Sequence, residues 1–388
     1  MNTKNMRKKQ KITLSLLFFI HGIAYASLVP WIPYIKENLN MSNSMVGMTI
    51  SAIPAGAIIF GLISSNIISL LGQFWATNIT FILFIICISL IPFASSWYEI
   101  ALLLFLFGIF DAWTDTCMNV QALDVQKTCG QSLINRFHGA ESIGTILGGL
   151  VAVSAIGFGL TMGQFSTTIF FINISILMGF IFLFKRKNER NNNSILHKRG
   201  LFIGTTGLPL YCLALVLLVF TCGIEETASI WGAIYMNDYY HVSPIIAGLP
   251  YLACQVSMVI GRMSGDYFTN KFGVVSTIKY GIMIATLGIW IVISIHSSTF
   301  SILGFSLIGL GISVTFPLTI AFIGQIPNLN SANGVMFATW ISRIGLLISP
   351  PLIGMLADIT SLRTALILIL ICCVFIYLLI NMISRKII

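Results

Sequence analysis

Residues 97–123 read WYEIALLLFLFGIFDAWTDTCMNVQAL, and the fold follows from what can surround such a segment. From Ile100 to Phe110 it carries no charge and no polar side chain. A bilayer's hydrocarbon core, about 30 Å thick, is crossed by a helix of roughly 20 mainly apolar residues. In a soluble protein a helix apolar on all sides must be wrapped by other helices, themselves shielded by charge. This chain has no material for that shell. Apolar residues make up 57% of its 388 positions and charged residues 9%, against roughly 25% charged in a soluble domain. Residues 97–123 therefore read as a membrane span, and the same test along the chain predicts spans 1 to 6 near 13–37, 43–71, 74–94, 97–123, 133–158 and 164–184. Spans 7 to 12 are predicted near 208–239, 243–271, 274–295, 300–326, 332–357 and 362–383.

The net charge of +9 is explained by where the basic residues lie. Lys4, Arg7, Lys8, Lys9 and Lys11 precede span 1, and Lys185, Arg186, Lys187, Arg190, Lys198 and Arg199 fill the stretch between spans 6 and 7. With the N-terminus inside, only Lys36 and Arg363 of 21 basic residues fall in outward loops, which is the positive-inside bias. The expectation is a multi-pass protein of a bacterial-type cytoplasmic (inner) membrane with both termini cytoplasmic, the lipid bilayer as its partner and no nucleic acid. The basic N-terminus runs into a full span without a small-residue cleavage site, so it does not read as a cleaved signal. The eight cysteines lie in apolar segments or at their ends, and no His/Cys spacing fits a metal. Neither a metal nor a cofactor is expected.

Sliding the chain along itself exposes a repeat. Gly22, Gly47, Gly72, Gly108 and Gly144 fall on Gly223, Gly248, Gly273, Gly309 and Gly345 at one offset of 201, and chance alone predicts about one such match among 33 glycines. Small residues let helices pack closely where no hydrophobic force drives association. The expected fold is an all-α membrane protein of twelve spans in two parallel-repeat six-helix bundles, 1–184 and 205–388, joined by a basic linker at 185–204. Parallel repeats of this kind place a substrate site between their halves near the bilayer midplane.

Charges inside a span are costly and usually mark a pathway. Span 4 carries Asp111, Asp115 and Asn119 at four-residue steps, which form one stripe on a helix. Span 7 carries Glu225 and Glu226, with Trp231 and Tyr235 further along. Only Arg343 in span 11 reads as a basic partner at that depth, so these four carboxylates are candidates for proton coupling. Span 5 opens with Arg136, His138, Glu141 and Ser142. His138, whose side chain ordinarily titrates near neutrality, joins Glu141 and Arg343 as candidate gating residues. Asn119, Trp231, Tyr25, Tyr235 and Trp113 are the candidate substrate-binding side chains, since aromatic faces beside polar groups suit a sugar ring. Pro350 and Pro351 are read as hinge or packing features of span 11.

The segment Gly261-Arg-Met-Ser-Gly-Asp266-Tyr-Phe-Thr-Asn-Lys271-Phe-Gly273 resembles the cytoplasmic signature of the major facilitator superfamily, and the resemblance extends over essentially the whole chain. It implies a gating role for Asp266. The first-half copy, from Gly61 to Gly72, has Asn66 in place of the acid and Gln73 in place of the basic residue. Asp115-Thr-Cys-Met-Asn119 and Gly223-Ile-Glu225-Glu226-Thr227 with Trp231 are similar to segments of the fucose-permease-like branch of proton symporters, in which the span 4 acid takes part in proton coupling. The end of span 11, Pro350-Pro-Leu-Ile-Gly354 with Asp358 and Ser361-Leu-Arg363, also resembles relatives of that branch. Val29 stands where fucose symporters carry a span 1 carboxylate, so the resemblance does not extend to fucose as cargo.

The reading is a secondary active transporter taking a small-molecule substrate and protons, acting as a monomer. Proton-coupled symport of a small polar solute, a sugar or related metabolite, is the leading form. Proton-antiport efflux of a drug or metabolite is the alternative, disfavoured because Gly144-Thr-Ile-Leu-Gly148-Gly149 lacks the proline of export families. No catalytic cluster or phosphate-cradling loop is present in the sequence, so an enzyme is not expected.

Overall fold

The computed structural model describes residues 3–129, 133–184, 207–326 and 331–387. The linker predicted at 185–204, with its basic cluster, lies outside these residues. Twelve helices are long and apolar enough to cross a membrane: Gln10–Asn38, Asn43–Ile63, Gln73–Phe93, Trp97–Gln126, Arg136–Gly157 and Met162–Gly179, then Leu208–Tyr240, Pro244–Phe272, Val274–Ser294, Ser298–Ile323, Phe337–Ile359 and Leu362–Arg385. They are numbered spans 1 to 12 below, and each coincides with a predicted one. Among the described residues there is no strand.

Spans 1 and 10 are broken near a proline where the sequence reading drew them continuous. Span 1 is α-helical to Ala26, then passes through a short 3-10 turn, Val29–Trp31, before the helix Ile32–Asn38. Pro30 accounts for the break, because its ring clashes with the carbonyl four residues back, that of Ala26. Span 10 is helical over Ser298–Ile312 and again over Thr315–Ile323. There Pro317 opposes Ser313, whose hydroxyl turns back to donate to the Leu310 carbonyl at 2.6 Å.

The chain forms two compact units. One takes in the described residues of Met1–Trp31 and Ala52–Ser194, the other those of Ile32–Ser51 and Ile195–Ile388. The first unit has an aromatic core in which Phe18, Phe81, Phe84, Phe107 and Phe137 are all fully buried. In the second, the Asp358 carboxylate accepts from the backbone N–H of Asn43 and Ser44 at 2.9 and 2.8 Å, capping the start of span 2. Lys36 is ion-paired with Asp238 in the same unit.

The repeat is visible in backbone geometry. Gly72 and Gly273 share one unusual conformation, φ +75 and +80 with ψ 154 and 161, and each links the helix it ends to the helix it begins. A side chain is strained at such a φ, which is why glycine holds both turns. A Cβ on Gly108 would meet the Ile53 carbonyl, and one on Gly309 the Cys254 carbonyl, the same contact 201 residues on. Gly144 rests on Phe19 and Ile23, whereas Gly345 rests on Val219 and Gly223, so spans 1 and 7 correspond at 200 rather than 201. The Gly22/Gly223 match is thus one residue out of structural register.

The segment 261–273 forms the last turns of span 8, which stays helical to Phe272. Its first-unit copy is less regular, with a 3-10 turn at Gly61–Ile63 and a separate helix Ser64–Leu71.

Candidate functional site

Spans 1 and 5 touch backbone to backbone. A Cβ on Gly22 would overlap the Glu141 carbonyl, and one on Gly144 the Phe19 carbonyl. This contact brings span 1 side chains within reach of the polar start of span 5. His21, almost wholly enclosed, places Nδ1 2.9 Å from Glu141 Oε1 and Nε2 3.0 Å from Asp111 Oδ1. Glu141 Oε2 lies 2.9 Å from His138 Nδ1. His138 Nε2 lies 3.1 Å from Asn119 Oδ1, and Asn119 Nδ2 donates to Asp115 Oδ1 at 2.8 Å and to the Asp115 carbonyl at 3.0 Å. One unbroken chain therefore runs Asp111, His21, Glu141, His138, Asn119, Asp115 across spans 1, 4 and 5.

The surroundings of the chain run from dry at His21 to wet at His138. The His21 side chain is 5% exposed and that of His138 45%. Phe84 stacks on the His21 ring at 5.0 Å between centroids, Phe107 stacks on Phe84 at 4.6 Å, and Phe18 meets His138 edge-on at 5.2 Å. An apolar wall of this kind strengthens hydrogen bonds inside it and makes an unpaired polar group costly. All of the chain's polar side chains are paired.

The expected stripe of Asp111, Asp115 and Asn119 is thus joined to His138 and Glu141, the pair expected to gate. The connecting residue, His21, escaped the sequence reading, although a histidine beside a glycine in mid-span was its available signal. Arg343 as sole basic partner is corrected. His21 serves Asp111, and Arg262 reaches Glu225 at 3.3 Å from the adjoining span 8. Arg262 lies within predicted span 8, but it was read only as part of the signature segment and not as a partner for Glu225.

The remaining candidates are dispersed. Glu226 and Arg343 are half-buried and Asp266 is exposed. Trp231 and Tyr235 are fully buried, with the Tyr235 hydroxyl donating to the Val292 carbonyl at 3.4 Å. Tyr25 packs against Phe107 at 5.6 Å. The Trp113 indole donates to the Phe60 carbonyl at 2.8 Å, at the point where the span 2 helix tightens into its 3-10 turn. Gln73, in the place of the signature's basic residue, donates to Asp124 at 3.0 Å.

Twelve apolar helices in two repeated bundles, with a buried acid and imidazole chain in one of them, define a membrane transporter. The chain belongs to the Major Facilitator Superfamily, whose family model matches residues 14–342. It is 28% identical over 360 residues to an uncharacterised MFS-type transporter of Yersinia pestis, covering 92% of this chain and 91% of that one. It is 24% identical to the membrane protein MosC of Rhizobium meliloti, over 94% and 88% of the two chains. Among solved structures, the nucleoside transporter NupG, in a single-substitution variant, superposes with a TM-score of 0.78 at 12% identity over 96% of this chain and 99% of that one. A bacterial homologue of the human lysosomal transporter Spinster does so at 0.78 and 14% identity, over 99% and 98%.

Proposed function

We propose that this transporter is a proton-coupled symporter of a small polar solute, of the fucose-permease-like branch, working by alternating access of halves 1–184 and 205–388. The hydrogen-bonded chain from Asp111 to Asp115 supports the coupling. It links five titratable side chains, with His21 enclosed and His138 open to solvent, an arrangement suited to passing a proton inside a membrane protein. Asp111 and Asp115 are its terminal acids and Asn119 its amide link. Glu225 and Glu226, with Arg262 beside the first, are proposed as the charged set of the second unit. The bias of basic residues supports a cytoplasmic-membrane location with both termini inside.

The purified protein is first screened against sugars, nucleosides and organic acids for ligand-induced thermal shift. The solute that stabilises it is then offered to proteoliposomes with an imposed proton gradient, acid outside. Accumulation that a protonophore collapses is expected. Accumulation indifferent to the gradient contradicts the coupling, and gradient-driven expulsion of the solute replaces symport with efflux.

A further inference from the structure

The hydrogen-bonded chain fixes a proton count. It has five side-chain contacts, namely Asp111–His21, His21–Glu141, Glu141–His138, His138–Asn119 and Asn119–Asp115. Each needs one hydrogen between its two heavy atoms. The Asn119 amide supplies one, and its orientation is set by the second bond from Nδ2 to the Asp115 backbone carbonyl. A neutral imidazole carries a single N–H, so His21 and His138 supply one each. Two contacts are left without a hydrogen while every carboxyl is ionised. Turning the Asn119 amide over moves one missing proton to Asp115 and leaves the count unchanged.

From this geometry we infer that His21 is a proton-carrying residue, and that the closed chain holds two protons beyond the state of neutral imidazoles and ionised carboxylates. Both sit on the imidazoles, where Asp111, Glu141 and Asp115 surround them with opposite charge. Among the described residues, the one further titratable group near His21 on the elements packed against it is His138, on the far side of Glu141, where its charge repels that of His21. Span 3 presents Phe81 and Phe84 and has Cys87 as its one titratable residue, and span 6 has none. On its own helix the nearest is Tyr25, one turn away. His138 faces Asn119, Glu141 and Phe18, with the exposed Arg136 two residues before it.

Loading is balanced at each atom. A proton held on Glu141 Oε1 passes to His21 Nδ1, so the O–H breaks, the N–H forms, Glu141 is left ionised and His21 becomes imidazolium. His138 takes the second proton from water through its exposed ring and donates from Nδ1 to Glu141 Oε2. Any movement that parts span 1 from span 5 removes the His21–Glu141 contact and the need for one proton. Its use in transport rests on the symport reading above.

The test needs no substrate. The full-length chain, labelled with 15N at its five histidines, is examined by NMR at neutral pH, with His21→Gln and His138→Gln assigning the two sets of ring signals. Two protonated nitrogens on each ring are expected. Glu141→Gln brings an amide hydrogen to one contact, so one of the two imidazoles should return to a single N–H. A bare ring nitrogen on either histidine in the unsubstituted chain, or no change in Glu141→Gln, overturns the inference. Should Glu141→Gln not fold, His138→Gln still decides, because His21 keeps Asp111 and Glu141 and should stay doubly protonated. Gradient-independent accumulation alongside doubly protonated rings would remove the symport reading and leave this inference standing.

Discussion

The two units repeat their packing but not their polar chemistry. Gly108 on Ile53 is matched by Gly309 on Cys254, and the Gly72 turn by the Gly273 turn. At the corresponding positions, His21, Asp111, Asp115 and Asn119 of the first unit become Thr221, Ile312, Phe316 and Ile320 of the second, and His138 and Glu141 become Thr339 and Ser342. The exchange also runs the other way. Glu225 corresponds to Tyr25, and its partner Arg262 to Gly61. Helix contacts made by backbone atoms tolerate only small residues, so both copies keep them. A proton chain has no such constraint to be duplicated, and a single copy is enough to load one.

If packing is what the units share, glycine substitutions should hurt both equally. Gly108→Val and Gly309→Val each drive a side chain into a neighbouring carbonyl. Each should cost about 3 kcal/mol or more, beyond ordinary overpacking because backbone rather than a side chain must yield. The check is the fraction of monodisperse protein recovered and its melting temperature, and a large difference between the two variants would break the symmetry.

If proton handling belongs to the first unit, Glu141→Gln should lower gradient-driven accumulation roughly 100-fold, in the range seen when a positioned proton carrier is removed. Solute exchange without a gradient should persist. Thr221→Ser, at the counterpart of His21, should leave both unchanged. A smaller effect is expected from Asp358→Ala, which uncaps span 2 in the second unit at a cost of about 1 kcal/mol, read as a lowered melting temperature. Least is expected from Arg262→Gln, since the pair with Glu225 is 39% and 30% exposed and such pairs contribute about 0–1 kcal/mol.

Most of the fold was legible because it depends on properties that a sequence carries residue by residue. Apolar length located all twelve spans, and glycine spacing exposed the repeat, since close approach and positive φ both demand glycine. The breaks at Ala26 and Ser313 were signalled by Pro30 and Pro317, but a hydropathy run gives no weight to a missing N–H. Half of the site was legible too. Asp111, Asp115 and Asn119 lie on one helix at helical spacing, and His138 and Glu141 one turn apart on another. Their junction was not legible, because it depends on spans 1 and 5 meeting backbone to backbone, a contact 120 residues apart in the chain. Trp231 and Tyr235 drew attention as aromatics near acids, yet position along a helix does not say which face is enclosed.

The central claim is that protons move with solute through the first unit's chain. It is tested most directly by proteoliposomes loaded with a pH-sensitive dye and given the stabilising solute, comparing the unsubstituted protein with Glu141→Gln. Acidification that accompanies solute entry in the former and is absent in the latter, with solute exchange retained in both, is predicted. Acidification of equal size in the two would contradict the account.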